Sequence, residues 1–444
     1  MAATEELHRS VHEATKSMAP EITAFLQAIV RAPSVNPVFG VVHEGGEALC
    51  QDIIADKLRA VGAEVTRWDP DVEKLAKYRG MPGYQDGRTF ANRPDQQAFL
   101  RGAGGGRSLM LAGHIDVVGA DARAESWTHD PFAGVIENGV LHGRGSVDMK
   151  GGVCAMVMAL HVLHRVGVRL RGDVSVVTVV DEETGGMGSL AAVERGCKAD
   201  AGIMTEPTEL KIVPMCRGIL WGRIRLRGKS GHVEIKQPPP DRGGAVDGVR
   251  RMRFLMQGID ELNAQWRDNP SKTHPLLGYP CEVSLTMVNA GQHPSSFAET
   301  VELTVDVQYL HAERDTQGLG ARVRDEIESF LLQWARLDPW LRDTPPTFEW
   351  FVDANPNEIP SDHPVVGTLG KALVSVGLQA DVTGTGFHSD SSVFTHYGTP
   401  MVNFGPGDPF LAHQTNEHIA LDEVVKAVEV LALAVADWCG VSAS

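Results

Sequence analysis

Histidine and acidic residues recur in this chain where short apolar runs end, and those residue types can hold cations and activate water. The first such place is GHIDVV, with His114 and Asp116 two residues apart. Side chains alternate along extended chain, so this spacing puts both on one face. A carboxylate there can hold the far nitrogen of an imidazole whose near nitrogen binds metal. In GRGSVDMKGG, Asp148 stands among glycines just before a helical pattern, and glycine permits the tight backbone needed to aim a carboxylate. DEETGG places Glu182 and Glu183 side by side after an apolar run. On extended chain they face opposite ways, so one can bind metal while the other takes a proton from water. TEPT and AHQTNEHIALDE add Glu206 and His413.

Each segment has an ordinary reading when taken alone. A histidine can be satisfied within a turn, an aspartate can cap a helix, paired glutamates can form a solvated turn, and a loop histidine can sit on the surface. Together, two histidines and three carboxylates form a mixed nitrogen and oxygen set that suits Zn²⁺, Mn²⁺ or Co²⁺ better than Ca²⁺ or Mg²⁺. Five donors also serve two ions if one carboxylate is shared. Two cations about 3.5 to 4 Å apart can hold a hydroxide and polarise a carbonyl.

The elements that must position these groups read as α/β. SLMLAGHIDVV, GDVSVVTVVDEE and AGIMTEPT are apolar runs of strand type, with the helical pattern GGVCAMVMALHVLHRVG between them. This alternation predicts a mostly parallel sheet covered by helices, in which ligands gather at the carboxyl ends of the strands. Upstream, a helix is expected over 20–32, with Ile22, Phe25, Leu26 and Ile29 on one face. EALCQDIIADKLRAVGAEVTRW reads as a helix stopped at Gly62 and followed by a strand, and 69–98 reads as a long surface loop. From about residue 216 the pattern becomes β-α-β-β-α-β, an α+β sandwich inserted into the larger domain. The expected organisation is 1–215 and 356–444 for the catalytic domain and 216–355 for the insert.

Composition narrows the function. The chain has 444 residues, 43% hydrophobic and 22% charged, with net charge −16. Such an acidic body points away from nucleic acid. No stretch reads as a membrane span, and MAATEELHRSVHEATKSMAP lacks the apolar core of a signal peptide. The six cysteines form no CxxC pair. They read as reduced, buried thiols, which predicts a cytoplasmic protein.

In order and spacing, GHIDVV, GRGSVDMKGG, DEETGG, TEPT and AHQTNEHI resemble the M20 metallopeptidase family, as do THDPFAGVIENGVLHGRG and MVNFGPGD. The resemblance spans nearly the whole chain. It implies a zinc-exopeptidase-like fold whose insert serves as lid and dimerisation module, giving a homodimer. His114, Asp148 and Glu206 would surround one divalent ion, and Asp148, Glu183 and His413 the other, most simply Zn²⁺, with Co²⁺ or Mn²⁺ as alternatives. Glu182 would be the general base, and Asp116 would orient His114. His232 in KSGHVEI would stabilise the oxyanion, often in the partner subunit's site. The implied reaction is hydrolysis of a small N-acylated amino acid or amine. A dipeptidase or carboxypeptidase would share the same catalytic residues. An intact Glu182 and a full donor set argue against a non-catalytic binding protein, and a purely structural metal site would need closed coordination.

Two departures bear on the substrate. The cysteine expected near Asp148 in the indole-acetyl-amino-acid branch is absent, and DMKGG differs from the N-carbamoyl amidase pattern. In the insert, His293 lies in VNAGQHPSSFAE, and Asp306, Val307 and Gln308 stand where relatives carry an arginine. His388 in GTGFHSDSSVF is a further pocket candidate, or simply a loop residue.

Overall fold

A computed structural model describes residues 2–40, 45–120 and 126–442. The chain divides into two compact units. One comprises Met1–Met215, Asn357–Gly384 and Ser389–Ser444, and the other Cys216–Pro356 with Thr385–His388. The short segment 385–388 thus joins the insert, although its neighbours on both sides belong to the larger unit.

The larger unit is built on a mixed sheet. Its strands run in the order Glu64–Trp68, Asp95–Leu100, Val174–Val179, Leu109–His114, Ala201–Met204, Met401–Asn403, Ile212–Cys216, Asn357–Glu358, with Val382–Thr385 also paired to Ile212–Cys216. Val174–Val179, Leu109–His114, Ala201–Met204 and Met401–Asn403 run parallel, while Asp95–Leu100 and Ile212–Cys216 pair antiparallel with the two ends of this block and Glu64–Trp68 pairs antiparallel with Asp95–Leu100. Every residue of the first three of these parallel strands is buried, as expected for strands covered on both faces.

Helices Ala2–Val30, Gly151–Arg165 and Leu421–Cys439 pack against one another on this sheet. The first helix begins at Ala2, not near residue 20, and continues through Pro20. A proline inside a helix costs about 3 kcal/mol. Here Val11, Ala14, Met18, Ile22, Phe25, Leu26 and Ile29 form one buried stripe. At roughly 1.5–3 kcal/mol for each large apolar side chain, that burial outweighs the break. Among the described residues one helix, Ser146–Arg165, is long and apolar enough to cross a membrane, and 89% of its most apolar window is buried in the protein. It is a core helix, so its apolar length comes from burial on every side.

The segment 69–98 is not simply a surface loop. It contains the helical turn Val72–Leu75 and ends in the strand Asp95–Leu100. Asp95 and Gln96 are buried in that strand. Asp95 Oδ1 accepts from Val180 N at 3.1 Å, and Gln96 pairs with Thr178 across the ladder. Buried polar groups with such partners are stable in a strand, and no apolar alternation announces them.

The insert is a four-stranded antiparallel sheet in the order Val283–Ala290, Thr300–Tyr309, Gly218–Arg227, Thr347–Ala354. Val301, Leu303, Val305 and Val307 alternate inward. The helices Gly248–Arg267 and Ala321–Ala335 contribute Leu255, Ile259 and Leu262, and Val323, Ile327 and Leu331, to the same core. All six cysteines are buried, and no disulfide joins any two of them.

Candidate metal centre

Three of the expected acidic and histidine positions follow parallel strands directly. His114 ends Leu109–His114, Glu182 follows Val174–Val179, and Glu206 follows Ala201–Met204. Parallel alignment brings these carboxyl ends together. Gly152, in the first turn of the helix Gly151–Arg165, packs against the backbone beside Glu206. A Cβ there would run into the Thr205 carbonyl, so only glycine allows this approach.

Asp148 comes from a turn entered through Gly145 in the left-handed region (φ 79°). Glu417 holds this turn: its Oε1 accepts from Val147 N at 2.8 Å and Asp148 N at 3.2 Å, and its Oε2 accepts from Arg144 Nη1 at 2.6 Å. Asp148 then meets both histidines. His114 Nε2 lies 3.0 Å from Oδ1, and His413 Nε2 lies 3.3 Å from Oδ2. His413 Nε2 is also 3.0 Å from Glu183 Oε2, and His114 Nε2 is 4.0 Å from Glu206 Oε2. Two triads result, His114–Asp148–Glu206 and Asp148–Glu183–His413. Within each, one donor atom per residue lies within 4.8 Å of the others. They share Asp148.

Glu182 stands beside them, with Oε2 3.8 Å from His114 Nε2. The pair Glu182 and Glu183 lies in a 3-10 turn after Asp181, which takes φ 72°, not on extended chain as its sequence suggests. Buried charges fix this turn. Asp181 Oδ1 accepts from Thr184 Oγ1 at 2.7 Å and lies 3.6 Å from Arg93 Nη1. Arg93 in turn pairs with Glu47 through contacts of 2.6 and 3.0 Å.

The role expected for Asp116 needs correction. His114 Nδ1 bonds to the Asp116 main-chain carbonyl at 2.9 Å, while the carboxylate Oδ1 is 3.6 Å away. That carboxylate accepts from Asn36 Nδ2 at 2.8 Å and from Glu182 N at 3.3 Å. Asp116 therefore orients His114 through its backbone and anchors the Glu182 turn through its side chain. The i+2 carbonyl, not the carboxylate, is the nearer partner of the ring.

The electrostatics are those of crowded acids in a buried space. Burial first, and then the neighbouring Asp148, Asp390 and Glu183, raise Glu206 to about 8 against the pull of His114. Burial also carries Glu182 well above the usual carboxylate range. For Asp148 burial acts upward, but hydrogen bonds from His114 and His413 overcome it and hold the carboxyl far below its ordinary value. The Glu183 charge lifts His413 to about 11. Burial alone would lower His114, yet Asp148, Glu182 and Glu206 raise it well above normal. Glu206 Oε1 is buried and finds no hydrogen-bond donor among the described residues. Divalent cations fit this donor set: coordination satisfies that oxygen and offsets the gathered negative charge.

Two site residues carried little signal. Glu417 lies inside AHQTNEHI and is its only acid, so the motif held the clue. Nothing in the sequence marked Asn36. His232 belongs to the insert, where it is exposed, bridges Ser296 and accepts from Glu234 N at 3.3 Å through Nδ1. His293 is likewise exposed, and its Nδ1 accepts from Ser295 N at 3.1 Å. Burial lowers His388, also in the insert, to about 4. In the insert sheet, Asp306 Oδ2 accepts from Trp221 Nε1 at 2.7 Å, and Gln308 accepts from Arg217 at 2.6 Å.

Residues 110–437 match the model of peptidase family M20/M25/M40. Among curated proteins, the N-formyl-4-amino-5-aminomethyl-2-methylpyrimidine deformylase of Halalkalibacterium halodurans is 27% identical over 94% of each chain. The Bacillus subtilis protein of the same name is 26% identical, over 88% of this chain and 89% of its own. Among solved structures, the dipeptidase Dug1p of Saccharomyces cerevisiae has the same fold, with TM-score 0.72 and 15% identity over 97% of this chain and 98% of its own. A chain with this match and this set of strand-end acids and histidines belongs to the metal-dependent, amide-cleaving hydrolases of peptidase family M20/M25/M40.

Proposed function

We propose that this enzyme removes a short acyl group, formyl or of similar size, from the nitrogen of a small amine or amino acid, with Zn²⁺ as its ion. The observation that carries the reading is the pair of triads sharing Asp148, with Glu182 buried beside them. His114, Asp148 and Glu206 would hold one ion, and Asp148, Glu183 and His413 the other. Ions bound there supply Lewis acidity toward an amide carbonyl and toward water. Glu182 Oε2 accepts a proton from the attacking water as the new C–O bond forms. It returns that proton to the departing nitrogen as the C–N bond breaks, leaving a carboxylic acid and an amine. Asp116, Asn36 and the Glu182 backbone N–H keep this carboxyl in place.

The choice of a short acyl group is supported by the two deformylase relatives, which align over nearly their full lengths. A homodimer is supported by the insert's edge strand Val283–Ala290, which exposes Met287 and Val288 as an unpaired edge does when another chain can cover it. His232 of a second copy would then serve the oxyanion. The buried cysteines, none of them in a disulfide, support a reducing, cytoplasmic setting.

The test is amine release from N-formyl, N-acetyl and N-succinyl compounds compared with dipeptides, using protein reconstituted with Zn²⁺. Faster turnover of dipeptides would refute the acyl reading in favour of a dipeptidase. Glu182→Gln should keep its metal content and lose about 10²- to 10⁴-fold in kcat. Retained turnover would remove Glu182 from the proton-transfer role.

A further inference from the structure

A second group of imidazoles gathers on the small sheet that leads into the Asp148 turn. Its three strands are His418–Ala420, Val140–His142 and Val135–Glu137, with Val140–His142 in the middle. Antiparallel register sets His142 directly opposite His418. His129, from the preceding loop, places its ring 5.3 Å from that of His142, and the His142 and His418 rings are 5.4 Å apart. Glu137 Oε2 lies 3.6 Å from His129 Nε2. One donor atom each from His129, Glu137 and His142 lies within 4.8 Å of the others, and none of these residues belongs to the two triads around Asp148.

A structural explanation for three histidines side by side, their rings tilted and not stacked, is weak here. As imidazolium ions they would repel one another with a single carboxylate to offset them. As neutral rings they present lone pairs, and His418 Nδ1 already bonds to the Asn416 carbonyl at 2.8 Å. Two imidazole nitrogens and a carboxylate oxygen that converge without mutual hydrogen bonds form a donor set for a borderline transition cation, with further positions left for water. The site is reachable, since the Glu137 side chain is 55% exposed and that of His129 25%.

We propose that His129, Glu137 and His142 form an additional Zn²⁺ site, separate from the catalytic pair, that fastens the loop carrying His129 to this sheet. The attachment matters to the active site because the sheet leads straight into it. His142 precedes Gly143 and Arg144, and His418 follows Glu417. Gly143 N donates to the Glu417 carbonyl at 2.9 Å, and Arg144 donates to its carboxylate.

The experiment equilibrates holoenzyme with buffered micromolar Zn²⁺ and counts metal per chain by mass spectrometry. Wild type should hold one equivalent more than the His129→Gln/His142→Gln variant, with near-UV circular dichroism reporting the fold of each. Glu137→Gln alters one exposed carboxylate and is the safer variant for folding. It should weaken the extra equivalent by about tenfold or more, as losing a ligand costs at least what losing a ligand's supporting partner does. Equal counts in wild type and the double variant, or an extra equivalent whose affinity ignores Glu137→Gln, would overturn the proposal. The catalytic ions cancel in this difference. An error in the reading of the triads would appear separately, as a double variant that holds no tightly bound metal.

Discussion

Glu417 offers the sharpest perturbation, because it holds the Asp148 turn through backbone N–H groups and supplies no donor atom to either triad. Its buried carboxylate accepts one bond from Arg144, itself only 4% exposed, and two from backbone N–H groups. Glu417→Gln keeps the volume and one acceptor oxygen, so the two backbone bonds can survive. The other oxygen becomes an amide NH₂ facing the guanidinium, which sets donor against donor. Breaking one side of a buried pair costs roughly 3–5 kcal/mol. Arg144 keeps its place over the Trp127 ring, 5.2 Å away, in both proteins, so that contact cancels and the full loss of roughly 3–5 kcal/mol is expected. Part of that loss must be recovered when ions bind and reorder the turn, which predicts Zn²⁺ affinity weaker by about 10- to 100-fold. Chelator competition measures the affinity, and the denaturation midpoint of chelated protein measures the stability. Arg144→Met combined with Glu417→Gln should be more stable than Glu417→Gln alone, since the unpaired buried charge is then gone. If Glu417→Gln binds Zn²⁺ like wild type and unfolds at the same midpoint, Asp148 is not held by this brace.

Chelation should lower the thermal midpoint, because Asp148, Glu183 and Glu206 then crowd without cations. Restored Zn²⁺ at about 100 times its Kd should return roughly 2.7 kcal/mol, and calorimetry with and without chelator checks this. Glu47 predicts a pH dependence. Burial, opposed by Arg93, lifts its carboxyl to about 7, while the unfolded group titrates near the ordinary carboxylate value of about 4.3. The folded state therefore binds the extra proton, so this contribution to stability is complete below the unfolded value and lost as pH rises toward 7. Glu47→Gln should remove a slope on the order of 3 kcal/mol across that window. Identical pH profiles of denaturation midpoint for the two proteins would refute it. Pro20→Ala restores an N–H at an exposed position inside the first helix and should raise the midpoint by the equivalent of about 1–3 kcal/mol; a decrease would mean the helix depends on a bend there.

What the sequence discloses and what it hides divide along the range of the interactions involved. Leu109–His114, Val174–Val179 and Ala201–Met204 are legible because burial on both faces demands an unbroken apolar run. The polar residue that stops each run marks the strand end where ligands gather. Asp95–Leu100 escapes the same reading: Asp95 Oδ1 accepts from Val180 N and Gln96 faces Thr178, partners some eighty residues away that no periodicity can reveal. Asp116 shows the limit at short range too. Two-residue spacing brings it to His114, but the ring meets the carbonyl, while the carboxylate is engaged by Asn36 Nδ2 and Glu182 N, partners that the local spacing does not show. Glu417 shows it at longest range, since bracing the Asp148 turn joins positions 269 residues apart. The donors of the site are thus written locally, as one residue type at the end of each element. Their aim is imposed by groups such as Glu417, Asn36 and the Arg93–Glu47 pair, which bind no ion themselves and whose loss should be felt in affinity and stability before it is felt in chemistry.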